Sequence, residues 1–210
     1  MIQGLFKILG LKKGPKFITV VSGLPRSGTS MMMKMLEAGG ISPLIDNFRQ
    51  ADDDNPKGYY EFERVKKMPE GDFDWLQEAE GKSVKIISAL LPHLPEQYTF
   101  RIVFMKREIT EILASQKKML IRRGEDPNKV TDQELTELFA QHLQQTNAWI
   151  GAHQHHVSCL RISYNSLLKN PAIAIDTTNE FLGGGLDTDA MATIVDPSLY
   201  RHRGEGNSQK

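Results

Sequence analysis

The sequence has almost no cysteine, no surplus of either charge and no long apolar run. Cys159 is the single cysteine among the 210 residues, so no disulfide can form within the chain. Lysine and arginine number 26, as do aspartate and glutamate, and the basic excess typical of nucleic-acid binding is therefore lacking. No stretch is long and apolar enough to cross a bilayer, and the beginning of the chain lacks a signal-peptide cleavage pattern. We therefore expect a cytoplasmic protein whose partner is neither nucleic acid nor a membrane.

The length and composition of the chain are sufficient for one sizeable domain. Hydrophobic residues make up 40% and charged residues 25%, as is ordinary for a globular protein, and we expect a single domain over 1–210 without repeats. The pattern of residues 1–14 predicts an amphipathic helix that caps the domain, with attachment to a membrane surface as the alternative. Its apolar positions are Ile2, Leu5, Phe6, Ile8 and Leu9.

A glycine-rich loop between a predicted strand and a predicted helix is the most informative motif. An apolar, β-branched run ends at Val21, and Gly23 and Gly28 bracket a tight turn. A helix is predicted to begin at Thr29 and to end before Gly39. In such a loop successive N–H groups converge on an anion, and the helix N-terminus adds about half a positive charge. The pattern therefore predicts a phosphate-binding loop.

The chemistry of this loop differs from that of a nucleoside-triphosphate loop. The latter follows the pattern GxxxxGK[ST], in which the lysine reaches the outer phosphates. Here Thr29 stands at the position of that lysine, and the cation of the loop is Arg26. No later predicted strand ends in an aspartate suited to hold Mg²⁺. We therefore expect a site for one phosphate and no metal, which argues against hydrolysis of ATP or GTP.

Strands and helices alternate along the rest of the chain. Further strands are predicted over 84–88, 101–105 and 157–162, and further helices over 109–123, 131–153 and 171–182. This alternation predicts an α/β fold, in which a central, mostly parallel sheet is flanked by helices in three layers. Together with the loop, it indicates an architecture like that of the P-loop NTPases.

The loop sequence Gly-Leu-Pro-Arg-Ser-Gly-Thr-Ser, residues 23–30, resembles the 5′-phosphosulfate-binding loop of sulfotransferases that use 3′-phosphoadenosine 5′-phosphosulfate (PAPS). The proline–arginine form is similar to the tyrosylprotein and bacterial branches of that family. The resemblance implies metal-independent transfer of a sulfuryl group from PAPS to an acceptor hydroxyl or amine, which leaves 3′,5′-bisphosphoadenosine (PAP). It implies that Arg26 neutralises the charge on the bridging oxygen. The residues implied to hold the 5′-phosphate are Arg26, Ser27, Gly28, Thr29 and Ser30.

A second motif follows the strand predicted over 101–105. Arg107 and Ser115, eight positions apart, resemble the arginine and serine with which the family binds the 3′-phosphate. On its own, such a pair is a weak signal and is more typical of solvated residues that cap a helix, but it follows the glycine-rich loop of residues 23–30. The segment from Tyr164 resembles the family's segment beside the adenine and the 3′-phosphate, although asparagine and serine replace its acidic pair. The late residues Arg201 and Arg203 resemble a basic segment over the 3′-phosphate, or else form a frayed tail.

The long loop over residues 41–63 is turn-rich and acidic, and we expect it to be a lid or a wall of the acceptor site. Its end, Asn-Pro-Lys-Gly-Tyr-Tyr-Glu over 55–61, resembles a segment of bacterial sulfotransferases that delivers a carboxylate near the transfer site. Glu61 is therefore the predicted general base. The strand over 84–88 lacks the histidine base of cytosolic members, and His93 is the alternative. The expected acceptor is a small molecule or a peptide, and neither its identity nor the oligomeric state follows from the sequence.

Two other functions remain open. A nucleotide or nucleoside kinase would need Mg²⁺ and the loop lysine that is lacking here. A non-catalytic nucleotide-binding protein on the same fold would bind PAP without transferring a sulfuryl group.

Three histidines lie where the helix predicted over 131–153 gives way to the next strand. They are His153, His155 and His156, and no cysteine or acidic residue lies near them in the sequence at ligand spacing. We therefore expect them to be solvated or to compensate the helix dipole, and not to bind a metal.

Overall fold

The computed structural model describes residues 16–46 and 59–195. The centre of these ranges is a sheet of the strands β1 (Ile18–Gly23), β2 (Ser83–Lys85), β3 (Phe100–Lys106) and β4 (Val157–Ser163). The strands lie in the order β2-β1-β3-β4, and every neighbouring pair is parallel. The predicted α/β fold with a central parallel sheet is thereby confirmed.

Helices flank this sheet. The α-helices are α1 (Thr29–Ala38), α2 (Leu76–Ala79), α3 (Ile109–Arg122), α4 (Asp132–Ala152), α5 (Tyr164–Lys169), α6 (Pro171–Phe181) and α7 (Thr188–Ile194). Short 3₁₀ helices span Glu63–Glu70 and Ser88–His93. The capping box that begins α4 is present, with the Thr131 hydroxyl accepting from the Glu134 N–H.

The apolar core lies on both faces of the sheet, because successive side chains of a strand point to opposite faces. On one face, Val20 and Ile102 pack in a cluster with the 3₁₀ helices and α4. On the other, Val21 and Val103 pack with α1, α5, α6 and α7. The described residues therefore form three layers, with the sheet in the middle.

The observed elements differ from the predicted ones mainly after β2. This strand ends at Lys85, although the sequence predicts a strand over 84–88. The Ile86 N–H still donates to the Val21 carbonyl oxygen at 3.0 Å, and the 3₁₀ helix then begins at Ser88. The short helices α5 and α7 are additions that the sequence pattern did not predict.

Several predictions fall on residues outside the described ranges and stay predictions. They concern the amphipathic segment over 1–14, residues 47–58 of the acceptor loop, and Arg201 and Arg203. Over residues 16–46 and 59–195, every helix is too short or too polar to cross a bilayer.

Candidate functional site

The loop between β1 and α1 is tightly enclosed. Gly23 has a φ of 148° and Gly28 a φ of 97°, both in the range that favours glycine. A Cβ atom on Gly23 would lie 2.7 Å from the Met105 carbonyl oxygen, and one on Gly28 would lie 2.4 Å from the Tyr164 ring. The two glycines are therefore required both by the backbone and by the neighbours of the loop.

Helix α1 presents an uncompensated N-terminus to this loop. Gly28 is its N-cap and supplies no side-chain hydrogen bond, and the first turn carries no acidic residue. The first N–H groups of an α-helix have no acceptor inside the helix, and they leave a partial positive charge there. Thr29 and Ser30 form this first turn. The arrangement has the electrostatic features of an anion site.

The two predicted phosphate motifs meet at the loop. Arg26 has a left-handed φ of 69°, and its Nε donates to the Ser115 hydroxyl at 3.0 Å. Arg107, directly after β3, donates from Nη1 to the Arg26 carbonyl oxygen, also at 3.0 Å. Ser115 lies buried on α3. Residues that are far apart in the sequence are thus joined at the carboxyl edge of the sheet, where α/β proteins bind ligands.

Arg107 is held in place by buried partners. Its Nε donates to a Glu111 carboxylate oxygen at 2.9 Å, and the two side chains are only 7% and 5% exposed. Glu111 in turn accepts from the Asn165 side-chain amide at 2.8 Å. The guanidinium lies 4.6 Å from the centre of the Tyr164 ring. The sequence analysis did not assign Glu111. Its position four residues after Arg107, within the helix predicted over 109–123, is a spacing at which an ion pair is expected.

Glu61 lies beside the end of β2. Lys85, the last residue of that strand, has its Nζ 3.7 Å from a Glu61 carboxylate oxygen, and both side chains are largely buried. Lys85 also donates to the Tyr59 carbonyl oxygen, which accepts a further bond from the Ser30 hydroxyl at 3.3 Å. Lys85 is therefore a cation of this region that the sequence analysis did not assign.

The acceptor loop is fixed where it returns to the sheet. The Asp46 N–H donates to the Glu61 carbonyl oxygen at 3.3 Å. The Tyr60 hydroxyl donates to Glu37 of α1 at 2.5 Å, and Tyr60 has a left-handed φ of 53°. Burial, and then the bond to the Glu37 carboxylate, raises the pKa of the Tyr60 phenol well above its usual value. Tyr60 therefore stays protonated at neutral pH.

Two further residues bear on the site. His93, the alternative base, is solvent-exposed at the end of the 3₁₀ helix Ser88–His93. Ser27 is buried in the loop, and its hydroxyl has no hydrogen-bond partner within the described part of the chain. A buried hydroxyl without a partner is costly, so Ser27 Oγ is a hydrogen-bonding group of the loop that these residues leave unsatisfied.

The fold and this loop define an α/β protein in which a parallel strand leads through a glycine turn into a helix. No family model and no curated protein matches the chain. Similar solved structures include the sulfotransferase domain from the Synechococcus PCC 7002 olefin synthase, at 16% identity and a TM-score of 0.49, covering 92% of this chain and 85% of that one. The sulfotransferase domain from the curacin biosynthetic pathway is 13% identical with a TM-score of 0.49, covering 91% and 87%.

A third similar structure is retinol dehydratase in complex with androsterone and the inactive cofactor PAP. Its identity is 16% and its TM-score 0.44, over 84% of this chain and 62% of that one. At such low identities the function has to be inferred from the site itself.

Proposed function

We propose that the chain is a sulfotransferase that moves a sulfuryl group from PAPS to a hydroxyl or amine of a small-molecule or peptide acceptor. The observation that carries this proposal is the contact between the two phosphate motifs. Arg26 donates to Ser115, and Arg107 donates to the carbonyl oxygen of Arg26. A nucleotide with phosphates at both the 5′ and the 3′ position needs two anion sites side by side, and this contact places two suitable sets of groups together.

The loop fits the 5′ end of the donor. Its glycines allow the tight turn that packs against Met105 and Tyr164, and the N-terminus of α1 beside that turn carries no competing carboxylate. The buried Ser27 hydroxyl adds a donor within the same loop. Arg26 supplies one fixed positive charge in place of the lysine and magnesium that a nucleoside triphosphate requires. These features suit a single phosphate bearing a sulfuryl group.

Arg107 and Ser115 fit the 3′-phosphate. Of the five N–H groups of Arg107, the bonds to Glu111 and to Arg26 use two, which leaves donors for a phosphate. Glu111 fixes the guanidinium from the buried side, so that the planar fork does not have to be ordered when the anion binds. Tyr164 covers one face of the guanidinium. The ion pair therefore orients Arg107 as a binding group.

The proposed chemistry needs positioning and charge stabilisation more than covalent help. PAPS supplies the sulfuryl group when it is bound, and PAP is the product. Arg26 remains protonated at neutral pH, so that its role is electrostatic, at the oxygen where charge develops. Glu61 accepts the proton of the acceptor hydroxyl, and Lys85 holds the Glu61 carboxylate at the end of β2.

Two experiments test this function: one compares the affinities of the chain for PAP and ADP, and the other measures sulfuryl transfer from PAPS. Isothermal titration calorimetry should show that PAP binds at least about tenfold more tightly than ADP, which corresponds to ~1.4 kcal/mol. Incubation with PAPS and a panel of phenols, aliphatic alcohols, amines and tyrosine peptides should release PAP only when an accepted compound is present. Equal affinity for PAP and ADP, or activity with ATP and Mg²⁺, would contradict the proposal. PAP binding without transfer to any compound would favour the non-catalytic alternative.

A further inference from the structure

A cluster of side chains of metal-ligating types lies at the amino ends of the strands, whereas the glycine loop lies at the carboxyl ends. His155 and His156 occupy the turn between α4 and β4, and Glu96 lies in the segment that leads into β3. The His155 Nε2 atom is 3.5 Å from a Glu96 carboxylate oxygen and 3.0 Å from the His156 Nδ1 atom. One ligand atom from each of the three residues lies within 4.8 Å of the other two. Residues that are distant in the sequence therefore form a compact group.

The chemistry of this group favours a shared cation. A neutral imidazole carries one N–H and one lone pair, and an ionised carboxylate only accepts hydrogen bonds. If His155 Nε2 carries its proton, that single N–H faces both the His156 nitrogen and the Glu96 oxygen. If His156 Nδ1 carries the proton instead, it donates to His155 Nε2, and the Glu96 oxygen then faces that ring nitrogen without a proton between them. A metal ion would satisfy all three atoms at once.

We propose that Glu96, His155 and His156 bind a divalent transition-metal ion, with zinc as the best match. Imidazole nitrogen and carboxylate oxygen are ordinary zinc ligands, at bond lengths of about 2.0–2.2 Å. In a tetrahedral site such bonds place neighbouring ligand atoms roughly 3.4 Å apart. The observed separations of 3.0 Å and 3.5 Å lie on either side of that value. Water completes the coordination.

The surroundings combine one rigid ligand with two accessible ones. His156 is 5% exposed, its carbonyl oxygen accepts from the Phe100 N–H at 2.8 Å, and its ring meets the Phe100 ring edge to face. The side chains of His155 and Glu96 are 56% and 67% exposed, which leaves a route for the ion from solvent. A bound ion would tie the segment before β3 to the turn before β4.

This site is separate from the proposed transfer site. Phe100 and Val157 begin their strands next to the cluster, whereas the glycine loop adjoins the carboxyl end of β1. The seven residues of β3 span about 20 Å at roughly 3.3 Å per residue. The proposal therefore stands whether or not the chain is a sulfotransferase, and the ion takes no part in the transfer.

Calorimetry with Zn²⁺ on the full chain, freed of any histidine tag and in chelator-free buffer, tests the inference. We expect one saturable site, with a thermal unfolding midpoint that rises on adding Zn²⁺. Because Glu96 and His155 are exposed, Glu96→Gln and His155→Gln should fold normally. Each should weaken Zn²⁺ binding by more than the about 10- to 100-fold that loss of an outer-shell partner costs. His93→Gln, which removes an exposed histidine outside the cluster, is the matched control and should bind Zn²⁺ like the parent.

Cobalt gives a second measurement that does not depend on stability. Co²⁺ bound to nitrogen and oxygen ligands in a four-coordinate site should produce visible absorption bands, and these should be lost in His155→Gln. Absence of saturable Zn²⁺ binding below millimolar concentrations would overturn the proposal. So would unchanged binding in both Glu96→Gln and His155→Gln.

Discussion

At the residue scale, Arg26 holds the centre of the proposed transfer site with both its side chain and its backbone. Its guanidinium donates to Ser115, and its carbonyl oxygen receives a bond from Arg107. Substitution by alanine removes the charge but keeps the backbone acceptor. We therefore expect Arg26→Ala to lower the rate of sulfuryl transfer by about 100- to 1,000-fold, as loss of one preorganised transition-state donor does.

The same Arg26→Ala variant should retain part of its affinity for PAP, because Arg107 and the helix N-terminus remain. Steady-state kinetics with PAPS and calorimetry with PAP check the two effects. Arg26→Lys, which keeps a positive charge but not the planar fork, should fall between the parent and the alanine variant. A fully active Arg26→Ala would refute the electrostatic role.

Arg107 should discriminate between nucleotides. Loss of charge-assisted hydrogen bonds to a 3′-phosphate costs about 1.5–3 kcal/mol, so Arg107→Ala should weaken PAP binding roughly 10- to 150-fold. Adenosine 5′-phosphate lacks the 3′-phosphate, and its affinity should change much less. Because the change leaves the buried Glu111 carboxylate without its cation, Arg107→Ala combined with Glu111→Gln is the variant in which folding is best preserved. Equal losses for both nucleotides would count against the assignment.

Glu61 is the predicted general base, and replacing its carboxylate by an amide tests that role. Glu61→Gln removes the proton acceptor while keeping the shape of the side chain, so transfer should fall by about 100-fold or more with little change in PAP affinity. The matched control is Glu63→Gln, since Glu63 forms an exposed pair with Lys66 and should be neutral. Full activity of Glu61→Gln would assign the base elsewhere, with His93 as the next candidate.

At the scale of elements, the sequence predicts the helices, strands and turns that can be recognised from residues close together in the chain. The loop between Gly23 and Gly28, the capping box at Thr131 and the apolar strands all carry their signal in neighbouring residues. Helix α5 was missed because it has six residues, too few for a helical period, and is stabilised by burial of Leu167 and by the Ser163 cap. Helix α7 likewise depends on its cap and on burial of one methionine.

Pairs that meet only in three dimensions were not predictable in the same way. The sequence predicts that Lys85 belongs to a strand over 84–88, and the residues next to it do not indicate that it contacts Glu61 and the Tyr59 carbonyl group. The same holds for Glu96, which the tertiary fold brings to His155. The motif resemblance could suggest that Arg107 and Ser115 act together, but their contact with Arg26 is a property of the fold.

The contact between Gly28 of the loop and Tyr164, the first residue of α5, allows a test at this scale. Gly28→Ala would place a methyl group 2.4 Å from the Tyr164 ring at a φ of 97°. We expect a loss of roughly 1–3 kcal/mol in unfolding free energy from backbone strain alone, a further loss from the clash, and little remaining PAP binding. Gly124→Ala is the matched control, because its φ is 70° but its Cβ would meet nothing within 4 Å. Chemical denaturation and calorimetry measure both effects, and similar losses in the two variants would contradict the role of Tyr164.

At the scale of the whole molecule, the two apolar clusters share one sheet. Side chains of β1 and β3 alternate between them, so that neither cluster can lose its packing without exposing the strands that support the other. A cooperative unit of this kind should unfold in one transition, which would bear out the predicted single domain. The tryptophans provide a probe, since Trp75 lies in the first cluster and Trp149 packs against it.

Leu36→Ala tests this coupling from the far side of the sheet. Leu36 is fully buried in the second cluster, and its truncation should cost about 2–5 kcal/mol. For a chain of this size, each kcal/mol lowers the unfolding midpoint by roughly 2–4 °C. The tryptophan fluorescence transition should shift as far as the far-UV circular dichroism transition, although both tryptophans belong to the opposite face. Leu138→Ala, at a leucine that is 56% exposed on α4, is the control and should change the unfolding free energy by no more than about 0.5 kcal/mol. A fluorescence transition that stays in place while circular dichroism shifts would mean that the two faces unfold independently.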